Sequence, residues 1–205
     1  MPLVGTKANA SAFGLGWSSA QAAEVLGGMV LMTPTSIAST GTGNSSSIGT
    51  NGSVTFSSCA TLSLNGVFTS EYDNYMIVCR HSTSGSSTIG GRLRAFGTDA
   101  SGNDYVRQRL NADGTTVSGT RNTANELDIN LAANSQRIGW TMYVFGPNLS
   151  QATAFRSITV SDSSDARIFD YAMTHSLSTS YDGITFYPQA AVTFTGLVSV
   201  YGLGG

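Results

Sequence analysis

The sequence predicts an all-β protein, a two-sheet jelly-roll-like sandwich behind an extended N-terminal arm. Three observations carry that prediction. Ser, Thr and Gly supply 77 of the 205 residues, and Thr favours strands while Ser and Gly favour turns. Alternation of apolar and polar residues recurs about ten times, at the period of a strand with one buried face. Charged residues are only 11% of the chain, against about 25% in ordinary globular domains. They are also uneven, because Lys7 and Glu24 are the only charges between Met1 and Ser70.

Taken in order, Met1 to Ser53 reads as the arm. Ser19 to Leu26 holds cap and helix formers stopped by Gly27-Gly28, enough for a turn or two of helix. The apolar run Gly27 to Met32, the break at Pro34 and the low-complexity stretch Ser39 to Ser53 follow. That composition suits either a flexible linker or a segment ordered by neighbouring subunits, and the second is the expectation adopted. Phe13, Trp17, Val30 and Met32 are its candidate docking residues.

A β-sandwich domain is expected from Val54 to Gly205. Val54 to Leu64 reads as one or two strands, and Asp73 to Arg80 places Tyr75, Ile77 and Cys79 on one face. Ile89 to Phe96 and Asp104 to Leu110 come next, then a short strand carrying Leu127, Ile129 and Leu131. Arg137 to Phe145 alternates most regularly, with Ile138, Trp140, Met142 and Val144 against Gly139, Thr141, Tyr143 and Phe145. Ala154 to Ser161, Ala166 to His175, Gly183 to Tyr187 and Val192 to Tyr201 complete the set. Turn clusters such as Asp99 to Asn103 and Asn111 to Gly114 separate the strands. Regular spacing without a repeat excludes propellers and solenoids. Cys59 and Cys79 lack the spacing around a tryptophan that an immunoglobulin domain needs, which favours the jelly roll.

Composition also narrows the partners. A net charge of −2 and a pI near 5.5 provide no basic stripe to release phosphate counterions, so nucleic acid is not expected as a partner. The run Gly27 to Met32 is far short of the roughly 20 residues that span a bilayer, so no membrane insertion is expected. Cys59 and Cys79 read as small buried free thiols, with a single disulfide left open.

Catalytic motifs do not emerge. There is no GxSxG elbow, Walker loop, HExxH or GxGxxG after a strand. His81 and His175 lie far apart, and a triad of His175 with Asp170 or Asp165 and a serine is weak evidence among 29 serines. Asp99, Asp104, Asp113, Asp162, Asp165 and Asp182 fall in or beside turns, where Asp bonds its own backbone. The segment Asp99 to Asp104 departs from the EF-hand pattern at the glycine and the bidentate Glu. No catalytic, cofactor-binding or metal-binding residue is therefore assigned, and no cofactor is expected. Tyr72, Tyr105, Tyr181 and Tyr187, at strand ends beside polar loops, are candidate surface contacts for a ligand such as a sugar.

Two segments resemble a known family. Val67-Phe-Thr-Ser-Glu-Tyr-Asp-Asn-Tyr75, followed by an alternating strand, is similar to the entry strand of β-sandwich virion proteins of tailed phages, cyanobacterial and marine ones among them. Phe194-Thr-Gly-Leu-Val-Ser-Val-Tyr-Gly202 is similar to that family's closing strand. Tyr143-Val-Phe-Gly-Pro-Asn148 resembles its mid-domain strand and turn, with Pro and Asn in the reverse order. The resemblance extends over about Val54 to Gly202. It implies a non-enzymatic module of a tail fibre, tail tip or capsid decoration, a homo-oligomer and commonly a trimer, located in the virion after assembly in the host cytoplasm. Expected partners are other tail or capsid subunits and a host surface glycan. A carbohydrate-binding or polysaccharide-degrading tailspike-like module is the alternative.

Overall fold

The structure, a computed structural model, describes residues 28–132, 138–160 and 167–204. Its strands in chain order are β1 (Met29–Met32), β2 (Ser36–Thr40), β3 (Ser45–Ile48), β4 (Val54–Cys59), β5 (Thr61–Asn65), β6 (Asn74–Thr83), β7 (Ser87–Ala95) and β8 (Thr98–Asp99). The second half adds β9 (Tyr105–Asp113), β10 (Thr116–Ala124), β11 (Leu127–Ala132), β12 (Ile138–Phe145), β13 (Thr153–Val160), β14 (Ile168–His175), β15 (Gly183–Pro188) and β16 (Phe194–Leu203). They form two antiparallel sheets packed as a sandwich. The larger has ten strands, ordered β10-β9-β14-β13-β12-β6-β16-β4-β3 with β1 beside β16. The smaller has six, ordered β11-β7-β15-β5-β2 with β8 beside β7.

Alternation is what makes this pairing bury a core. β12 turns Ile138, Trp140, Met142 and Val144 inward and the residues between them outward, and β6 does the same with Tyr75, Ile77 and Cys79. Across the gap the smaller sheet supplies Leu62, Leu64, Ile89, Leu93, Ile184 and Phe186. Trp140 meets Phe186 with ring centroids 5.4 Å apart, one point where the two layers touch. Both cysteines are buried and free, and burial raises both thiol pKa values, so neither is a ready nucleophile.

The domain boundary expected at Val54 is displaced. β1, β2 and β3 belong to the sandwich, so residues from Met29 onward are not a separate arm. The reason lies in β16, which pairs with β4 only through Phe194–Val198. β1 takes the rest of that edge, Val200 to Leu203. Pro34 ends β1, and the chain crosses to the smaller sheet, where β2 pairs with β5, then returns to pair β3 with β4. The Ser/Thr run is a hydroxyl ladder rather than a linker. Ser39 bonds Ser46 at 2.9 Å, Thr40 bonds Thr61 at 2.7 Å, Ser47 bonds Thr55 at 2.8 Å and Ser53 bonds Ser199 at 2.9 Å.

All three segments of the phage resemblance meet at one end of the sandwich. The Thr69 amide donates to the Tyr75 hydroxyl at 2.7 Å, and that hydroxyl donates to the Thr69 carbonyl at 2.8 Å, closing the entry loop. Gly202 lies opposite Tyr75 in the ladder, and a Cβ there would come within 2.4 Å of the Tyr72 ring. Asn148 donates to the carbonyls of Phe68 and Tyr181 at 3.3 and 3.1 Å. These residues lock loops together.

A bulge in β11 disturbs the alternation. The register against β7 shifts between Asp128 and Asn130, which frees the Ile129 carbonyl inside the sandwich. Ser157 and Thr159 of the opposite sheet donate their hydroxyls to it at 3.0 and 3.1 Å. Because these two face inward, their neighbours Ile158 and Val160 must face out.

Candidate functional site

The four candidate tyrosines separate into two groups. Tyr105 is 0% and Tyr181 2% exposed, which removes both as surface contacts. Each was misplaced because its hydroxyl finds a partner inside. Tyr105 accepts from the Leu93 amide at 3.0 Å and donates to the Ala100 carbonyl at 2.9 Å. The Tyr181 hydroxyl bonds His175 Nδ1 at 3.3 Å. Tyr72 is half-buried against Tyr75 and Gly202, a packing role. Tyr187 is half-buried on the outer face of the smaller sheet, with the Arg92 guanidinium 5.1 Å above its ring and its hydroxyl donating to Glu126 at 2.6 Å. Burial, and then the adjacent Glu126, raise its pKa.

Of the arm candidates, Phe13 and Trp17 lie outside the described residues. Val30 pairs with Gly202 and Met32 with Val200. Met32 belongs to the sandwich core and is not a docking residue, because β1 is a strand of the larger sheet.

Polar chemistry concentrates beside Tyr187. Arg94 donates from Nε to Asn65 at 2.9 Å and from one terminal nitrogen to Thr185 at 2.8 Å and Ser63 at 3.1 Å. It also pairs with Asp99 and the Gly97 carbonyl. Arg107 pairs with Asp128 at 2.6 Å, and Gln189 donates to the same carboxylate at 2.7 Å. In this network Arg94 and Arg107 hold Asp99 and Asp128, and Arg92 donates to the Asn125 carbonyl at 3.0 Å. Among the described residues, no three His, Cys, Asp or Glu side chains gather where they could hold a metal ion.

Both histidines are buried, and each has a hydrogen-bond partner inside, His175 in the Tyr181 hydroxyl and His81 in Asn130. Asn130 donates to His81 Nε2 across 3.0 Å. Burial pushes the His81 pKa down to about 4 and lowers that of His175. His175 lies edge-on to Tyr105, with centroids 4.3 Å apart.

The outer face of the ten-stranded sheet is built differently. One row in register runs Val117, Ala112, Ile168, Val160, Gly139, Arg80 and Leu197. The row beside it runs Leu110, Asp170, Ile158, Thr141 and Val78. Val117, Val160, Ile168, Leu110 and Ile158 are 42–67% exposed. The solvated face of an antiparallel sheet is usually polar, yet here an apolar band continues to Tyr143, Phe145 and Met29 at the opposite corner. Its central charges neutralise each other, Arg156 gripping Asp170 through two bonds of 3.2 and 2.7 Å. Sequence reading missed this face because an alternating strand does not say which of its sides faces in.

No known family matches the chain, and no curated protein does. The outer face of the larger sheet is therefore judged on its geometry. Two shallow depressions open on it, one of about 290 Å³ lined by Thr55, Arg80, His81, Ser82 and Leu197 among others, and one of about 410 Å³ over Ala154, Ala172 and Gln108. In the first, the His81 imidazole is buried and takes the Asn130 donor at Nε2. What the face can do is exclude water against a broad, complementary surface.

Proposed function

We propose that this chain is a non-enzymatic structural subunit of a tailed-phage virion, its sandwich facing outward and its N-terminal residues joining it to tail or capsid subunits. The observation that carries the reading is the apolar outer face of the ten-stranded sheet. A lone soluble domain gains nothing from so large a band of exposed aliphatic side chains, and patches of this kind mark protein interfaces. The three segments that resemble phage virion proteins support the virion assignment. Cryo-electron microscopy of particles from the phage that encodes the chain tests it. Density for the sandwich on tail or head is expected, with residues 1–28 reaching neighbouring subunits, and particles without the chain would refute it.

One observation favours a second reading, the carbohydrate-binding module. Tyr143 and Phe145 are exposed, with ring planes within 13° of parallel and centroids 6.3 Å apart. They lie beside Ala154 and Arg156, near the larger depression. Stacking on a sugar would use such rings. Glycan-array binding that disappears in Tyr143→Ala and Phe145→Ala would establish that reading.

A further inference from the structure

We propose that a second copy of this chain packs face to face on the outer surface of the ten-stranded sheet, centred on Val78, Ile158, Val160 and Ile168. The proposal rests on the reading of the chain as an assembly subunit and names the partner and the surface. Four points on the molecule lead to it.

The first is the inversion in β13. Ser157 and Thr159 are buried, while Ile158 and Val160 on the same strand are exposed. The inward hydroxyls are needed by the Ile129 carbonyl, so the inward pattern has an internal cause. The outward pattern has none within the chain, because nothing in the fold requires isoleucine and valine there. Thr would serve a solvated strand equally well.

The second is size. From β1 to β10 this face spans eight strands at about 4.8 Å and four rows at about 6.6 Å, a footprint of roughly 800–1,000 Å². A stable interface needs about 800 Å² per partner, so one face of one copy suffices for an isologous contact that uses the same patch twice.

The third is charge. A partner of strong charge would find little to match, since Arg156 and Asp170 are already paired within the band. An apolar band with its charges internally neutralised is complementary to itself, because apolar surface needs only another apolar surface opposite it. Arg121 lies on the edge strand β10, where a polar rim belongs, while Arg80 stands in the first row between Gly139 and Leu197 and needs a polar group opposite it in the partner copy.

The fourth is shape. The band runs diagonally, from Met29, Tyr143 and Phe145 at one corner through Val78 and Ile158 to Ile168 and Val117 at the other. Twisted sheets packed face to face keep their strand directions within about 30° of each other, so the band of one copy can lie across the band of the other.

The test uses the full chain and measures mass in solution by light scattering across micromolar concentrations. The wild-type chain is expected to run as two or more copies. The double variant Ile158→Lys, Val160→Lys is expected to weaken association about a hundredfold or more, by placing unpaired ammonium groups in an apolar contact. Phe96→Lys, which charges an exposed residue in the turn between β7 and β8 of the smaller sheet, is expected to leave the mass unchanged. Circular dichroism checks that each variant folds, and Ile168→Lys replaces the double variant if that one does not. A wild-type chain that is monomeric throughout, or charged variants that fold and keep the wild-type mass, would overturn the proposal. Loss of association in a chain lacking residues 1–27, with the charged variants unaffected, would overturn it too. Particle labelling reports separately on the virion reading, so a monomeric chain found on particles would sink this proposal and leave that one standing.

Discussion

His81 makes the stability of this protein depend on pH, and the dependence can be worked out from its surroundings. The imidazole is buried on β6, edge-on to Phe194 at 6.3 Å, with Nε2 accepting from Asn130. Burial holds its pKa at about 4, against 6.5 for the free side chain. Between those values the unfolded chain binds a proton that the folded chain does not, so stability rises with pH through this window and falls as pH drops from 6.5 toward 4. The full difference is about 3 kcal/mol, and about 2 kcal/mol of it is already lost at pH 5. Urea unfolding followed by the fluorescence of the buried Trp140 should show the midpoint falling by roughly 1 M between pH 7.5 and 5, at a slope of ~2 kcal/mol per M. His175, also held neutral by burial, acts in the same direction. His81→Gln keeps an acceptor for Asn130 but cannot titrate, so it should remove most of this loss while costing some stability at pH 7.5. A wild-type midpoint that does not move between pH 7.5 and 5, or a variant that moves as far as wild type, would show that the imidazole is not held neutral and refute the reasoning.

Three further predictions concern the joints of the sandwich. Tyr75→Phe removes both hydrogen bonds to Thr69 and should cost about 1–2 kcal/mol in chemical denaturation, with the fold retained. Gly196→Ala would place a Cβ 2.2 Å from the Arg80 carbonyl and 2.8 Å from the His81 Cα. Both are backbone atoms that cannot turn aside, so β16 must part from β6, and a loss of about 3 kcal/mol or failure to express soluble protein is expected. Arg94→Met keeps the aliphatic stem but leaves Asp99, Ser63, Thr185 and Asn65 without their shared donor. Because Asp99 is 28% exposed, the loss should be about 2 kcal/mol rather than the larger figure for a fully buried pair. Hydrogen exchange should localise that loss to β7, β8 and β15.

The strands that could be read in advance were those whose inner residues are large and apolar at every second position. β6 and β12 belong to that group, and so the two-sheet class followed. β10 was missed because Thr116 to Ala124 is exposed along nearly its whole length. It hangs on β9 through a nine-residue ladder beyond the reach of the smaller sheet, with no buried side to leave a pattern. β1, β2 and β3 were missed for a different reason. β2 and β3 are mostly small and hydroxylated and β1 is four apolar residues with no alternation; all three are ordered by pairing with distant strands, information that short windows do not contain. Tyr105 and Tyr181 look like surface residues because polar loops flank them. What decides their burial is a carbonyl, an amide and an imidazole brought to their hydroxyls from other parts of the chain. The candidate interface was illegible for the most specific reason. The alternation of Ala154 to Ser161 does not say which side faces in, and the Ile129 carbonyl at the β11 bulge, which takes two hydroxyls from β13, accompanies the side that does.

The residues that carry the phage resemblance are not those at the centre of the proposed interface. The segments resembling phage virion proteins converge on one end of the sandwich, where Tyr75 holds Thr69, Tyr72 covers Gly202 and Asn148 ties two loops. Each does a task the fold needs whatever the protein binds, so a chain with another partner could keep them all. Residues free of such tasks are those pointing outward from the larger sheet, and any change there alters the surface without disturbing the core. Specificity for a partner is therefore written in positions such as Val78, Leu110, Ile158, Val160 and Ile168. Charging those positions should change what the protein associates with while its denaturation profile stays close to wild type, whereas changes at Tyr75 or Gly196 should do the reverse.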